Sequence, residues 1–537
     1  MKKKLIASLI ALTLGISLVG CSSNATVKND TSKEKKAKVE EKTEGKIKEG
    51  GNFIFSASTD PTSLNPFFQL NRVTFTVNNI LYDPLFVQDG DKTRYYLAKD
   101  LKVSDDMLTY TLILKDNLKW HDGKKITSDD IVFSIKTVQD KNQNISSRDG
   151  FVVGGKDVQV TKKDDLTVEF KLSQVYTPFK ASLEGFKPIP KHIFQGKKNI
   201  EKDEASTSKP VGSGPFKFKE WKKGEALTLA RFDDYYGGKP HLDNVIFRIV
   251  SDKNSAQAAF QNGEITASYL TNENYNKFSK DENFKTYTFD ENMLNYLNIN
   301  NKTKGLDKKE VRQAIAYGLN KEELLKADSG TLDNIKPAYS CLTPQTSCYT
   351  DEVEKYKYDP EKAKELLKKS GTSNLKININ YMSGSETDKK LALLIQQQLG
   401  DIGIKVNPIG VDSETYFAKT GGDKPRDYDI VTNAYVMGTE PSAYYPAFET
   451  NNPFNASCYS NPEIDKLFKE AKIEVNEGKR KELYEKAQKI IANDVAIYPL
   501  DYSISKIATV KNLGGIKEAK LVPIYMFEDM SKLYFTE

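Results

Sequence analysis

The sequence predicts an α/β protein of more than one lobe, on three observations. Its 537 residues exceed the size at which one hydrophobic core keeps growing, so two or three packed lobes are expected. From Gly51 to about Asn295 short alternating strands with polar turns dominate, and helices become frequent afterwards. Between residues 375 and 435 strands and helices alternate, which is the pattern of a parallel sheet.

The first twenty residues run from Lys2, Lys3 and Lys4 into LIASLIALTLGISLVG, too short and wrongly flanked for a stable membrane span. They read as a secretory signal peptide. Its end, Leu18-Val19-Gly20-Cys21, resembles the bacterial lipobox, where cleavage before the cysteine leaves a thiol that carries diacylglycerol. Cys21 is therefore the expected lipid attachment site, and each acyl methylene buried in a bilayer contributes about 0.8 kcal/mol. Residues 21–50 are Lys, Glu, Ser and Thr with almost no apolar content, the composition of a disordered tether.

In the body, hairpins are expected around LTYTLILK at 108–115 with 117–120 behind it, at 158–172 and at 216–232. The helical part opens with Asp307 as N-cap and Glu310 three residues on, a capping-box spacing ahead of the apolar face Val311, Ile315 and Leu319. Asp359-Pro360 and Asn461-Pro462 read as N-cap plus first-turn proline of two more helices. Between them the order is a strand at 375–381, a helix at 386–400 closed by Gly403, a strand at 404–409, a further helix and a strand at 428–435. Ligands of open α/β sheets bind beyond the carboxyl ends of strands. That makes the loop 436–445 the candidate crevice, the alternative being a plain connection.

Charge excludes one class of function. A net +5 against 79 basic and 74 acidic residues, mixed in sign and without a basic stripe, gives no footprint for nucleic acid. Three histidines, His121, His192 and His241, have no second ligand at metal spacing, and no Walker loop, dinucleotide fingerprint or Gly-x-Ser-x-Gly elbow is present. No catalytic residue, metal or cofactor is expected. Gly212-Ser-Gly-Pro-Phe216 precedes a strand and reads as a tight turn. Cys341 and Cys348 share one loop-like stretch and either close a small disulfide or, with Cys458, remain unpaired thiols.

Several blocks together resemble family 5 of the bacterial solute-binding proteins, the oligopeptide, dipeptide and nickel-binding lipoproteins of ABC importers. The most specific is KWHDGKKITSDDIVFS within 104–138. TDPTSLNPF (59–67), YDPLF (82–86), PVGSGPFKFKEW (210–221), VRQAIAYGLNKEEL (311–324), YDPEKAKELLKKSG (358–371), NPEIDKLFKEA (461–471) and IYPLDY (497–502) agree in order. The resemblance implies a periplasmic-binding-protein-like type II clam: two α/β lobes of discontinuous chain plus a smaller α+β lobe. By that analogy lobe I holds 51–86, 206–296 and 503–537, the small lobe 87–205, and lobe III 297–502. The crossovers fall at 295–298 and 500–503, about which the lobes would close. Trp120, His121, Asp122 and Gly123 carry the family likeness as a structural turn.

The resemblance further implies a non-enzymatic monomer, anchored on the extracytoplasmic face of the cell membrane, that delivers an oligopeptide to ABC permease subunits. Peptide binders of the family hold the ligand's ammonium with an aspartate four residues before a proline in the 436–445 loop; counting back from Pro441 gives Met437, and Glu440 is the nearest carboxylate. That departure leaves room for a blocked or cyclic peptide, an oligosaccharide or a nickel chelate, and delivery and peptide sensing stay open alike. Tyr435, Tyr444, Tyr445 and Phe75 are candidate pocket walls, with core packing as the other reading, and Asp60 and Asn298 complete the ligand-binding candidates.

Overall fold

The computed structural model describes residues 45–90, 92–329, 332–420 and 426–537. The signal peptide, Cys21 and the tether up to residue 44 lie outside the described residues. The end of the expected tether is structured: Ile47–Lys48 pairs antiparallel with Tyr534–Thr536, which also pairs with Leu513–Gly514. Lysine and glutamate masked that strand, because its pairing groups are backbone and its partner lies almost 500 residues away.

One eleven-stranded mixed sheet organises the body. At one end the hairpin Phe216–Lys222/Ala226–Arg231 continues into Asn244–Ile249, which runs parallel to Asn52–Ala57. At the other end Lys376–Met382 runs parallel to Lys405–Val411 and, through Ile379 and Asn380, to Ile430–Val436. The alternation at 375–435 thus builds the parallel sheet that it predicts. Helix Glu386–Asp401 covers it, and Gly403 follows in the left-handed region at φ +90°.

Two long strands join these ends. Phe284–Ile299 and Ile497–Val510 pair antiparallel from Phe284↔Val510 to Asn298↔Ile497. Their register breaks between Asp290 and Leu294, opposite Ile504 and Tyr502, and again between Asn295 and Tyr296. On the first strand the larger irregularity precedes the expected crossover by several residues. Glu291 sits in it, its side chain only 3% exposed, and bonds Arg72 at 3.1 Å and the Ile524 amide at 3.2 Å as well as Ser505. A buried carboxylate requires such partners.

Residues 98–171 contribute a four-stranded antiparallel sheet in the order Ala98–Val103, Thr109–Leu114, Thr167–Lys171, Gln159–Lys162. Strand Thr109–Leu114 therefore pairs with 98–103 and 167–171 and makes no hairpin with 117–120. Trp120 stands instead in a turn closed by Trp120 N–H to Lys124 C=O at 2.8 Å, its ring fully buried. One hydrophobic cluster runs from this small sheet into Phe53, Phe216, Val245 and Leu533; two others flank the sheet of residues 297–500.

The glycines of 212–216 answer to packing. A Cβ on Gly212 would lie 1.9 Å from the Leu81 carbonyl oxygen, and one on Gly214 2.2 Å from that of Ile80. The same turn clasps His121: the Gly212 amide donates to Nδ1 at 3.1 Å and Nε2 donates to the Gly214 carbonyl at 3.0 Å. The imidazole is thereby neutral, and burial pulls its pKa down to about 4.

Two local expectations change. The helix Lys309–Gly318 is capped at Lys308, and Asp307 instead accepts the Gly305 amide at 2.7 Å, tightening the preceding turn. Asp359 and Asn461 cap their helices as expected, accepting the amides of Lys362 and Glu463, both at 2.9 Å. Cys341, Cys348 and Cys458 are free thiols, so the small disulfide does not form. Cys341 packs in the apolar cluster behind residues 436–448, where burial pushes its pKa up to about 12.

Candidate functional site

A large cavity, about 1000 Å³, opens beyond the carboxyl end of strand Ile430–Val436, and its volume stands at the upper end of small-molecule sites. Its walls come from distant parts of the chain: residues 436–440 and Tyr444; Asp290 and Asn292 on the first long strand; Asp83; Glu184 and Lys187; and residues 520–525. Two smaller cavities flank it. One, of about 550 Å³, shares Tyr525 with it, and another, of about 390 Å³, lies against Asn295 and Asp501.

Met437, Glu440 and Tyr444 line the large cleft. Met437 is only 3% exposed; its amide donates to the Asn292 carbonyl at 2.7 Å, and its sulfur lies 3.8 Å from Thr346 Oγ1. A buried thioether thus stands where the resemblance places an aspartate. Glu440 caps the turn Pro441–Ala447 by accepting the Ser442 amide at 2.9 Å, and Arg480 grips the same oxygen at 2.6 Å. With side chains 15% and 14% exposed, this pair is a buried strut of the loop and leaves no free carboxylate for an ammonium. The Tyr444 hydroxyl oxygen accepts the Gly438 amide, and its ring stacks on Tyr435, ring centres 5.8 Å apart.

The remaining candidates sit elsewhere. Asp60 accepts Trp221 Nε1 at 2.8 Å and the Gly224 amide at 2.9 Å, which ties it to a hairpin turn. Asn298 is buried within the paired strands, Phe75 is half-buried on helix Arg72–Leu81, and Tyr435 packs on Tyr296 and Tyr444. None of the four lines the large cleft. Tyr445 stacks on Phe468 in the core.

Sequence reasoning missed the charges that do line the cleft. Most are paired: Asp290 with Lys336 at 2.6 Å, Asp89 with Lys520 at 2.7 Å, and Glu528 with Arg94. Glu184 accepts Thr439 Oγ1 at 2.8 Å and the Gln88 amide at 3.2 Å, neither of them a cation. Asp83 accepts the Tyr235 hydroxyl at 2.8 Å, and burial raises its carboxyl to about 7 against the pull of the two tyrosine hydroxyls. Lys187 lies in GFKPIP, and a lysine inside an apolar run was the available signal. Among the described residues no group of three His, Cys, Asp or Glu could hold a metal ion, and no helix is long and apolar enough to cross a membrane.

Comparison with known proteins gives a consistent result. Residues 92–456 match the model of bacterial extracellular solute-binding proteins, family 5 middle. The chain is similar to the oligopeptide-binding protein AppA of Bacillus subtilis, 29% identical over 97% of each chain. Its fold superposes on the crystal structure of the ABC transporter substrate-binding protein CtaP of Listeria monocytogenes with a TM-score of 0.88 and 42% identity, covering 91% of this chain and 100% of that one. The B. subtilis AppA structure in complex with a nonapeptide gives a TM-score of 0.77 at 28% identity, covering 92% and 100%.

Proposed function

The chain belongs to family 5 of the bacterial extracellular solute-binding proteins, and from that premise we propose that it captures oligopeptides and hands them to an ABC importer. The observation that carries the reading is the cleft itself. It holds about 1000 Å³, its walls come from strands Phe284–Ile299 and Ile430–Val436 and from the distant segments 79–96, 181–187 and 520–528, and a relative with 28% identity is described with a nonapeptide. Such a volume suits an extended peptide held through its backbone, with side chains in roomy pockets.

Closure would occur about the two long strands, at the register breaks near Glu291 and Asn295. The lobes are proposed as 51–86 with 206–296 and 503–537, then 87–205, then 297–502. Contacts at two places bridge 87–205 to 297–502: Thr439 to Glu184 at 2.8 Å, and Thr177, whose amide donates to the Lys472 carbonyl at 2.9 Å and whose hydroxyl reaches the same carbonyl at 3.2 Å. Both would part on opening. With Met437 buried and Glu440 held by Arg480, Glu184 is the carboxylate left to receive a peptide's ammonium.

Cys21 would carry the lipid that keeps a monomeric protein at the outer face of the membrane. Replacing it, Cys21→Ala, is expected to move the protein from the membrane fraction to the medium and to abolish palmitate labelling; retention with label would refute the anchor.

Native mass spectrometry of the gently purified full chain, followed by denaturation, tests the ligand class. A ladder of peptide masses is expected. One defined non-peptide mass would instead support the second reading, an oligosaccharide or metal chelate, which draws on the thioether at Met437.

A further inference from the structure

We propose that Lys187 receives a carboxylate of the bound ligand, either the C-terminus of a short peptide or an acidic side chain near the start of a longer one. The inference rests on the peptide reading and names the chemistry that one wall of the cleft selects.

Lys187 lines the cleft yet is only 6% exposed. Lysine is almost never so buried without a partner, because its ammonium gives up strong hydration. The group here lies 5.1 Å from the centre of the Tyr525 ring, and no hydrogen bond or ion pair reaches it from the described residues. An aromatic face is a weak substitute for an anion.

Asp83 is the nearby acid, but it is no contact partner. Its carboxyl is bonded by Tyr235 at 2.8 Å, and burial and the tyrosine hydroxyls outweigh the pull of Lys187 on it. The other cleft lysine, Lys520, is occupied by Asp89 at 2.7 Å. Among the described residues the cleft therefore holds one ammonium whose charge nothing else in contact with it matches.

The backbone explains why the side chain cannot retreat. Gly185 turns the chain in the left-handed region at φ +68°. Phe186 then packs between Phe67 and Phe151, ring centres 5.7 and 5.4 Å away, and Ile189 is fully buried. Between these anchors the Lys187 side chain is delivered to the cleft.

Glu184 lies three residues earlier on the same wall and is likewise without a cation. A ligand whose ammonium meets Glu184 would bring to Lys187 only what lies near its own N-terminus, hence the two sources of carboxylate named above.

The test uses the purified full chain and three random peptide libraries of two to nine residues: free acids lacking Asp and Glu, C-terminal amides containing them, and C-terminal amides lacking them. Affinity is read by competition and by thermal shift. At least one carboxylate-bearing library is expected to bind about tenfold or more tightly than the third, as a charge-assisted contact requires. Preference for free acids confined to the shortest peptides identifies the C-terminus, and preference for acidic amides identifies the side chain. Lys187→Met should erase the difference while leaving the ligand-free melting temperature unchanged or higher. Equal binding of all three libraries by the unaltered protein overturns the inference, as does discrimination that survives in Lys187→Met. Absence of binding by every library is a different outcome, and it removes the peptide reading together with the inference.

Discussion

Arg480→Met tests whether Glu440 is structural. Arg480 Nη2 lies 2.6 Å from Glu440 Oε1, with both side chains about 15% exposed. Removing one partner of a buried pair costs roughly 3–5 kcal/mol, because the other charge is left without compensation. Glu440 would retain the Ser442 amide and a little solvent, which places the loss near the lower limit, about 3 kcal/mol. At ~2.1 cal/mol/K per residue, unfolding some 490 residues carries an entropy of about 1 kcal/mol/K, so the melting temperature should fall by about 3 °C. Glu440→Gln alone strands Arg480, which keeps the Ala471 carbonyl at 3.2 Å and the Tyr484 ring. The double variant should therefore be less damaged than the sum of the two, by about 2 kcal/mol or more in urea unfolding. Additivity within about 0.5 kcal/mol would refute the reasoning and would return Glu440 to the list of groups free to bind a ligand.

Other outcomes follow from the same geometry. Glu184→Gln should weaken binding of peptides with a free N-terminus about tenfold to a hundredfold and leave N-acetylated peptides unaffected, measured by calorimetry. Gly212→Ala places a Cβ 1.9 Å from a carbonyl oxygen and should cost about 3 kcal/mol or more in denaturant unfolding; a neutral result would contradict the packing of the turn on helix Arg72–Leu81. His121 has a folded pKa of about 4 against 6.5 in the unfolded chain, so the unfolded state binds the extra proton between these values. Its contribution is full above about pH 6.5 and falls by about 3 kcal/mol as pH drops to about 4. His121→Asn should flatten that part of the stability profile, and an unchanged slope between pH 6.5 and 4 would disprove it.

The parts of the fold that were legible share a physical cause. The strands at 375–381, 404–409 and 428–435 and the helices after Asp359 and Asn461 declare themselves through local periodicity and caps. The strand Ile47–Lys48 did not, because pairing across almost 500 residues leaves no local trace, and Thr109–Leu114 takes its hairpin partner from the preceding strand Ala98–Val103 and not from 117–120. Asp307 shows a subtler failure. Its spacing to Glu310 fits a capping box, yet the side chain satisfies the Gly305 amide, and the helix starts one residue later. Spacing identifies which groups could bond; competition among nearby donors decides which do.

The site was legible in place and illegible in charge. The carboxyl end of a parallel strand located residues 436–445, and Met437, Glu440 and Tyr444 line the cleft there. Which charges in it are free depends on what stands opposite each, and sequence does not state that. Glu440 looked available and is occupied by Arg480, forty residues on; Lys187 looked like one of many lysines and has no anion in contact. The same balance bears on the missing aspartate. With a thioether at Met437, the loop presents no unpaired carboxylate, and among the described residues the only cleft charges without an opposite charge in contact, Glu184 and Lys187 beside the tyrosine-bonded Asp83, all lie on the facing wall. Recognition by charge in this chain would thus be displaced from the loop at the sheet end to the segment that closes over it, and ligand binding and closure would be coupled through Glu184, whose carboxylate already bonds Thr439 across the cleft.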